Sequence, residues 1–360
     1  MTTHYSSQDI ASLTKEQVLR LSVDDRLAYF HAVRLSHPRV SQAISDLKLM
    51  AKPGAGSDLT LLIGPTGVGK STLINVLREH VLKENQARMR EDRALIPIAV
   101  AEAPASGERV FSWRIFYQRL GESLQEPLMT KKQETVTKDG RITVRPVSNS
   151  ATVAAMRISI EKALVNRKTS IVVVDEAVHL LRHVHQGSLE THMDAIKSLA
   201  NICGSNMIMV GSYDLVALMN LSAQVARRTT IIHFPRYFSD EDRDVHAFRK
   251  VLEKLTGYLP LEGEVDLSKY ADDLMQACVG CVGILKDTLS RALALALREG
   301  GELTEAHLEK AILSPMQLKA ILQETLEGEK LMRVRAFGSG SFKAAAEQSR
   351  DIELLMAGEP

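Results

Sequence analysis

The run Gly64-Pro65-Thr66-Gly67-Val68-Gly69-Lys70-Ser71 fits the spacing G-x-x-x-x-G-K-[ST]. Glycines at these intervals let backbone N–H groups turn inward around phosphate oxygens, and a helix that follows adds its positive end. In such a loop Lys70 neutralises the β- and γ-phosphates, the Ser71 hydroxyl joins the shell of a magnesium ion, and Thr72, like the rest of the run from Gly64, is a candidate nucleotide-binding position. The ligand these parts suit is ATP with Mg²⁺. A chance glycine-rich turn is the bland alternative. Against it stand the apolar run Leu59 to Ile63 before the loop and the helical spacing of Leu73, Val76, Leu77 and Val81 after it. A second element complements the first. Ile171-Val172-Val173-Val174 reads as a buried strand, and its end delivers Asp175 and Glu176. Beside a phosphate loop, Asp175 suits the magnesium ion and Glu176 suits orienting and deprotonating an attacking water. Alone, the same pair is an acidic strand end capping the next helix.

Other positions carry chemistry on a weaker signal. Met207 to Val210 reads as a strand ending in Gly211-Ser212, where Ser212 can meet a γ-phosphate or serve as an N-cap. Arg227 and Arg228 precede the strand Thr229 to Phe234. Either can reach a neighbouring subunit's phosphate, and the alternative is a solvated basic pair. Lys286, in Gly283-Ile284-Leu285-Lys286, is a cation that touches nucleotide or a surface lysine. Between residues 130 and 147, Thr135-Val136-Thr137 and Ile142-Thr143-Val144 flank Asp139-Gly140, a hairpin signal. Lys131, Lys132, Lys138, Arg141 and Arg145 outnumber the acids Glu134 and Asp139 there. A basic hairpin of this kind suits duplex DNA phosphates without reading bases, or is a solvated loop. Lys330, Arg333, Arg335 and Lys343 form a second basic stretch, better suited to docking a partner.

The elements needed to position these residues alternate. Candidate strands at 59–63, 96–101, 171–174, 207–210 and 229–234 are separated by candidate helices at 71–81, 111–124, 151–165 and 189–202. Alternation of this kind predicts an α/β fold, a mostly parallel five-stranded sheet between helices. After Pro235 the strands stop, and helices are predicted from Ser239 to about Thr256 and over 266–279, 283–299 and 304–312. The expected organisation is a helical lead-in over 1–57, a nucleotide-binding domain over 58–235 with the hairpin inserted, a small helical domain over 236–313, and a tail over 314–360.

Composition narrows the class. With 45% hydrophobic and 25% charged residues the chain is globular, and a net charge of +1 requires any nucleic-acid contact to be local. The three cysteines, Cys203, Cys278 and Cys281, form no disulfide framework, and the C-x-x-C pair lacks the further ligands of a zinc site. Met1 to Ile10 has no apolar core, and no run approaches the ~18 apolar residues of a membrane span. The expectation is a soluble, cytoplasmic protein that does not bind membranes.

The motifs, in this order, resemble an AAA+ ATPase over roughly residues 20 to 313. Within that superfamily the chain looks closest to the TniB/TnsC transposition regulators, relatives of the origin-recognition type of initiator ATPase. The residues that carry the likeness are Arg26-Leu27-Ala28-Tyr29, His37-Pro38, the phosphate loop, the Asp175-Glu176 strand and Val279 to Leu289. The resemblance implies an ATP-dependent homo-oligomer, a ring or helical filament, that coats duplex DNA and links a target selector to a DDE-type transposase. It also implies that His37 and Pro38 lie near adenine. Two positions depart from the pattern: Ser212 stands where Asn or Thr is frequent, and Lys286 where Arg is. The alternatives are an initiator or helicase loader and a signalling ATPase.

Overall fold

The computed structural model of the chain describes residues 13–52, 59–105, 107, 111–127, 133–138, 141–146, 152–181, 186–220 and 223–332. In chain order these form helices α1 (Lys15–Leu19), α2 (Val23–Ala32) and α3 (Pro38–Met50), strand β1 (Leu59–Ile63), helices α4 (Lys70–Glu84) and α5 (Gln86–Glu91), strand β2 (Ile98–Glu102) and helix α6 (Trp113–Ser123). Strands β3 (Gln133–Lys138) and β4 (Arg141–Pro146), helix α7 (Val153–Asn166), strand β5 (Ile171–Asp175), helix α8 (Gln186–Cys203), strand β6 (Asn206–Gly211), helix α9 (Ala223–Arg228) and strand β7 (Thr229–His233) follow. Helices α10 (Asp242–Gly257), α11 (Ala271–Ala277), α12 (Val282–Arg298), α13 (Glu305–Ala311) and α14 (Pro315–Met332) complete the described chain.

The main sheet has the order β2-β5-β6-β1-β7 with every neighbouring pair parallel. Parallel strands need a crossover between them, and the intervening helices supply it. All five residues of β1 are buried, as a central strand covered on both faces requires. The second strand begins at Ile98, two residues later than its apolar run suggests. Pro97 has no N–H to donate, and its carbonyl instead accepts from the N–H groups of Ser170 and Ile171, both at 3.1 Å. Helix α4 buries Leu73, Ile74, Leu77 and Val81, so Ile74 takes the inward place expected of Val76. The predicted hairpin forms as β3 and β4, an antiparallel pair in a sheet of their own, with Lys138 opposite Arg141 and Glu134 opposite Arg145.

The described residues divide into two compact units. One comprises Ser36–Ile63 and Gly69–Phe234 and contains the sheet. The other takes in the chain up to Leu35, the short segment Gly64–Val68 and everything from Pro235 onward. In that helical unit, Ser22 Oγ accepts from the Asp25 N–H at 3.2 Å to start α2, and Val18, Tyr29 and Val33 form a small core with α1. The helix expected over 266–279 is interrupted. A 3₁₀ turn at Ser268–Tyr270 precedes α11, and Val279 and Gly280 follow with φ of +54° and +69°. Cys278 and Cys281 flank that turn and are buried, and burial holds the Cys278 thiol far above its ordinary range. Among the described residues no group of three or more His, Cys, Asp or Glu side chains is placed to hold a metal ion, and no helix is long and apolar enough to cross a membrane.

Gly280 is fixed by geometry. Its carbonyl accepts from Tyr237 N–H at 3.0 Å, and a Cβ placed on it would lie 1.9 Å from the Tyr237 carbonyl oxygen. Gly280→Ala therefore meets both a left-handed φ and a backbone clash. We expect it to lower unfolding free energy by about 3 kcal/mol or more, read from urea or thermal denaturation. An alanine variant as stable as the parent would contradict this packing.

Candidate nucleotide-binding site

Because β5, β6, β1 and β7 run parallel and side by side, their C-terminal ends share one edge of the sheet. The register sets Val174 beside Met209, and Ile63 beside both Gly211 and His233. Asp175 and Glu176 end β5, Ser212 follows β6, and Phe234 follows β7. The glycine-rich loop leaves β1 at the same edge, where open parallel sheets place their ligands.

The loop has the backbone that its glycines permit. Gly67 and Gly69 adopt φ of +76° and +105°, in the left-handed region. Val68 N–H donates to the Pro65 carbonyl at 3.3 Å, closing the turn that Gly64, Pro65 and Thr66 begin. Gly69 is the N-cap of α4 and Lys70 its first residue. The first i→i−4 bond runs from Leu73 N–H to the Gly69 carbonyl at 2.9 Å, so the N–H groups of the preceding turn lie outside the helical ladder. Ser71 and Thr72 are exposed on that turn. A positive helix end, the amide groups of the first turn, a lysine and a hydroxyl are the kinds of group that suit a magnesium-bound triphosphate.

At the end of β5, Asp175 is half-buried and Glu176 exposed. Glu176 takes φ +51° and ψ +37°, a conformation a non-glycine residue rarely holds. Its N–H donates to Asp175 Oδ1 at 2.9 Å. This bend ends the strand and starts the 3₁₀ turn Ala177–Leu180. Backbone strain of this sort concentrates at functional sites. One oxygen of Asp175 is thereby oriented by the chain itself.

The remaining candidates occupy varied environments. Ser212 Oγ donates to Asp214 Oδ2 at 3.1 Å as the 3₁₀ turn Tyr213–Asn220 begins. Arg227 and Arg228 are exposed at the end of α9, immediately before β7. His37 is buried as the N-cap of α3, with the exposed Pro38 as first helical residue, and its ring stacks on Phe234 at 6.4 Å between centroids. Phe234 N–H in turn donates to the Ile63 carbonyl at 2.7 Å, so His37 reaches the strand edge from which the loop departs. In the helical unit, Lys286 Nζ donates to the carbonyls of His31 and Val33 at 2.7 and 2.5 Å, capping the end of α2. Burial there lowers its pKa below the usual lysine range. Lys131 and Lys132 lie outside the described residues. Lys138, Arg141 and Arg145 are on the hairpin strands.

Sequence patterns did not point to Tyr213 and His233. The Tyr213 hydroxyl and His233 Nε2 are 3.0 Å apart, tying the tip of β6 to the tip of β7 across β1. Burial, with Arg39 nearby, pushes the His233 pKa down to about 4, so the ring is neutral near pH 7 and free to accept this bond. No motif marks the pair, because the partners are brought together only by the strand order.

Residues 55–219 match a family model described as an AAA domain. No curated protein matches the chain. Among solved structures, the ORC2 protein of Aeropyrum pernix, determined as ADPNP and ADP complexes, is similar at 16% identity, covering 80% of this chain and 71% of that one with a TM-score of 0.51. Cdc6p of Pyrobaculum aerophilum is similar at 14% identity, over 78% and 68% of the two chains, TM-score 0.50. The ORC1 protein of Aeropyrum pernix, solved in complex with DNA, is similar at 18% identity, over 83% and 70%, TM-score 0.50. The five-stranded parallel sheet among helices is an AAA+ domain with an ORC/Cdc6-like fold.

Proposed function

We propose that this protein is a magnesium-dependent AAA+ ATPase that assembles on duplex DNA under nucleotide control. The observation that carries the reading is the shared sheet edge, where β1 launches the phosphate loop and β5 ends in Asp175 with Glu176 directly after it. Lys70 holds phosphate charge, Ser71 and Asp175 hold the magnesium ion, and Glu176 takes the proton of the attacking water. The metal supplies charge neutralisation at the phosphate oxygens. His37, stacked on Phe234, forms one wall for the adenine. Arg227 or Arg228, exposed before β7, is the residue offered to a neighbouring subunit's phosphate.

The DNA part of the reading rests on the hairpin. Lys138, Arg141 and Arg145 stand on paired strands that carry one acid, Glu134, with Asp139 following Lys138 in the sequence. Such a hairpin contacts phosphates without reading bases, and repetition over an oligomer multiplies a weak contact.

Two finer roles share this chemistry. The likeness of the core to the archaeal ORC and Cdc6 structures supports an initiator or helicase-loader role. A transposition regulator, working between a target selector and a transposase, draws support from Arg26–Tyr29 and His37–Pro38. The helix α2 that carries Arg26 turns its guanidinium onto the Leu19 and Leu21 carbonyls, so this motif shapes the α1–α2 pair.

Electron microscopy of the protein with duplex DNA, comparing ATP with ADP, tests the proposal. ATP-dependent rings or filaments on DNA are expected. Assembly indifferent to both nucleotide and DNA would reject it. A continuous coat on any sequence would favour the regulator, and a discrete footprint on one sequence the initiator.

A further inference from the structure

Within the helical unit, which includes Gly64–Val68, two adjacent residues at the apex of the phosphate loop are gripped by helices from far along the chain. Ile284, in the first turn of α12, donates its N–H to the Gly67 carbonyl at 3.1 Å. Its side chain lies so close that a Cβ on Gly67 would sit 2.5 Å from Ile284 Cγ1. The second contact comes from 258 residues further along the chain: Thr66 Oγ1 donates to Glu324 Oε1 at 2.9 Å, from the middle of α14.

Helix α14 is itself anchored. Glu329 is buried and receives Arg236 through two bonds, Nε to Oε1 at 2.8 Å and Nη2 to Oε2 at 3.2 Å. Thr325 and Gly328 are buried on the same side, while Met316 is 80% exposed. Glu324, itself exposed, thus hangs from a helix that a bidentate ion pair holds little more than one turn away, which fixes where the backbone of that helix stands.

We infer that α14 is a brace for the phosphate loop and that Glu324 is a positioning residue for nucleotide, acting through Thr66. A loop whose N–H groups must converge on phosphate oxygens binds more tightly when its conformation is held in advance, because less freedom is lost on binding. Ile284 holds Gly67 by main chain and packing. Glu324 holds Thr66 by one directional acceptor. The acceptor oxygen is what matters, so glutamine, which keeps an oxygen at that place, preserves the effect, and alanine abolishes it.

The inference rests on the loop being the nucleotide site, and the test separates the two. Dissociation of a fluorescent ADP analogue is followed by stopped flow in the full chain, for the parent protein and for Glu324→Ala, Glu324→Gln, Glu329→Gln and Lys70→Ala. Glu324→Ala should release nucleotide about twofold to tenfold faster, the range one hydrogen bond spans. Glu324→Gln should release it at the parental rate. Glu329→Gln, which loosens the anchor, should resemble Glu324→Ala. A merely structural α14 would change the melting temperature and leave release rates alone, and that result overturns the brace. So does a glutamine variant as fast as alanine. If Lys70→Ala binds the analogue as the parent does, the nucleotide-site reading itself falls. If Lys70→Ala alone loses binding, only the brace falls.

Discussion

Lys70→Ala is expected to weaken ATP binding by about a hundredfold or more, and to remove ATP-dependent assembly with it. The expectation comes from position and charge. Lys70 is the first residue of α4, directly after a left-handed Gly69, where the helix dipole and the first-turn N–H groups favour an anion. A charge-assisted hydrogen bond contributes about 1.5–3 kcal/mol, and the ammonium additionally neutralises two phosphates that otherwise repel one another. A loss of about 2.7 kcal/mol is a hundredfold in affinity. The substitution keeps the helix start intact, because alanine has the higher helix propensity and Gly69 still supplies the turn. Titration with a fluorescent ATP analogue, with circular dichroism as the control for folding, measures it directly. Unchanged affinity would remove the loop from the mechanism.

Glu176→Gln separates binding from turnover. Glutamine fills the same space and meets the same left-handed backbone at φ +51°, so no new strain is introduced. It cannot take a proton. General-base catalysis contributes typically about 10²–10⁴-fold, so steady-state phosphate release should fall by that factor while ATP affinity stays within about twofold. In the proposed site Ser71 and Asp175 hold the metal and Glu176 faces the water, so magnesium binding is expected to survive the substitution. The variant should accumulate as the ATP-bound assembly on DNA. Normal turnover in a colourimetric phosphate assay would assign the base to another residue.

The elements legible in the sequence were those whose cause is local. The loop from Gly64 to Ser71 needs glycines at fixed intervals, and Gly67 and Gly69 occupy the left-handed region that no other residue enters cheaply. The apolar runs of β1 and β5 identified themselves because a strand buried on both faces cannot alternate with polar residues. The Asp139-Gly140 dipeptide, which lies outside the described residues, announced the β3–β4 pair through its sequence alone. Boundaries slipped where one atom decided them, as at Pro97, and the short α5 and α9 carry too few residues to show a period.

What the tertiary structure decided was the meeting of residues far apart in the chain. The strand order β2-β5-β6-β1-β7 put Tyr213 against His233, an encounter no spacing foretells. Lys286 carried a charge that sequence could assign to nucleotide or to solvent. The fold gave it to the carbonyls of His31 and Val33, because the end of α2 leaves acceptors without helical partners. Glu324 had no motif at all. Its place beside Thr66 lies on the helix that Glu329 anchors to Arg236, and such long-range packing depends on three-dimensional complementarity that local periodicity does not record.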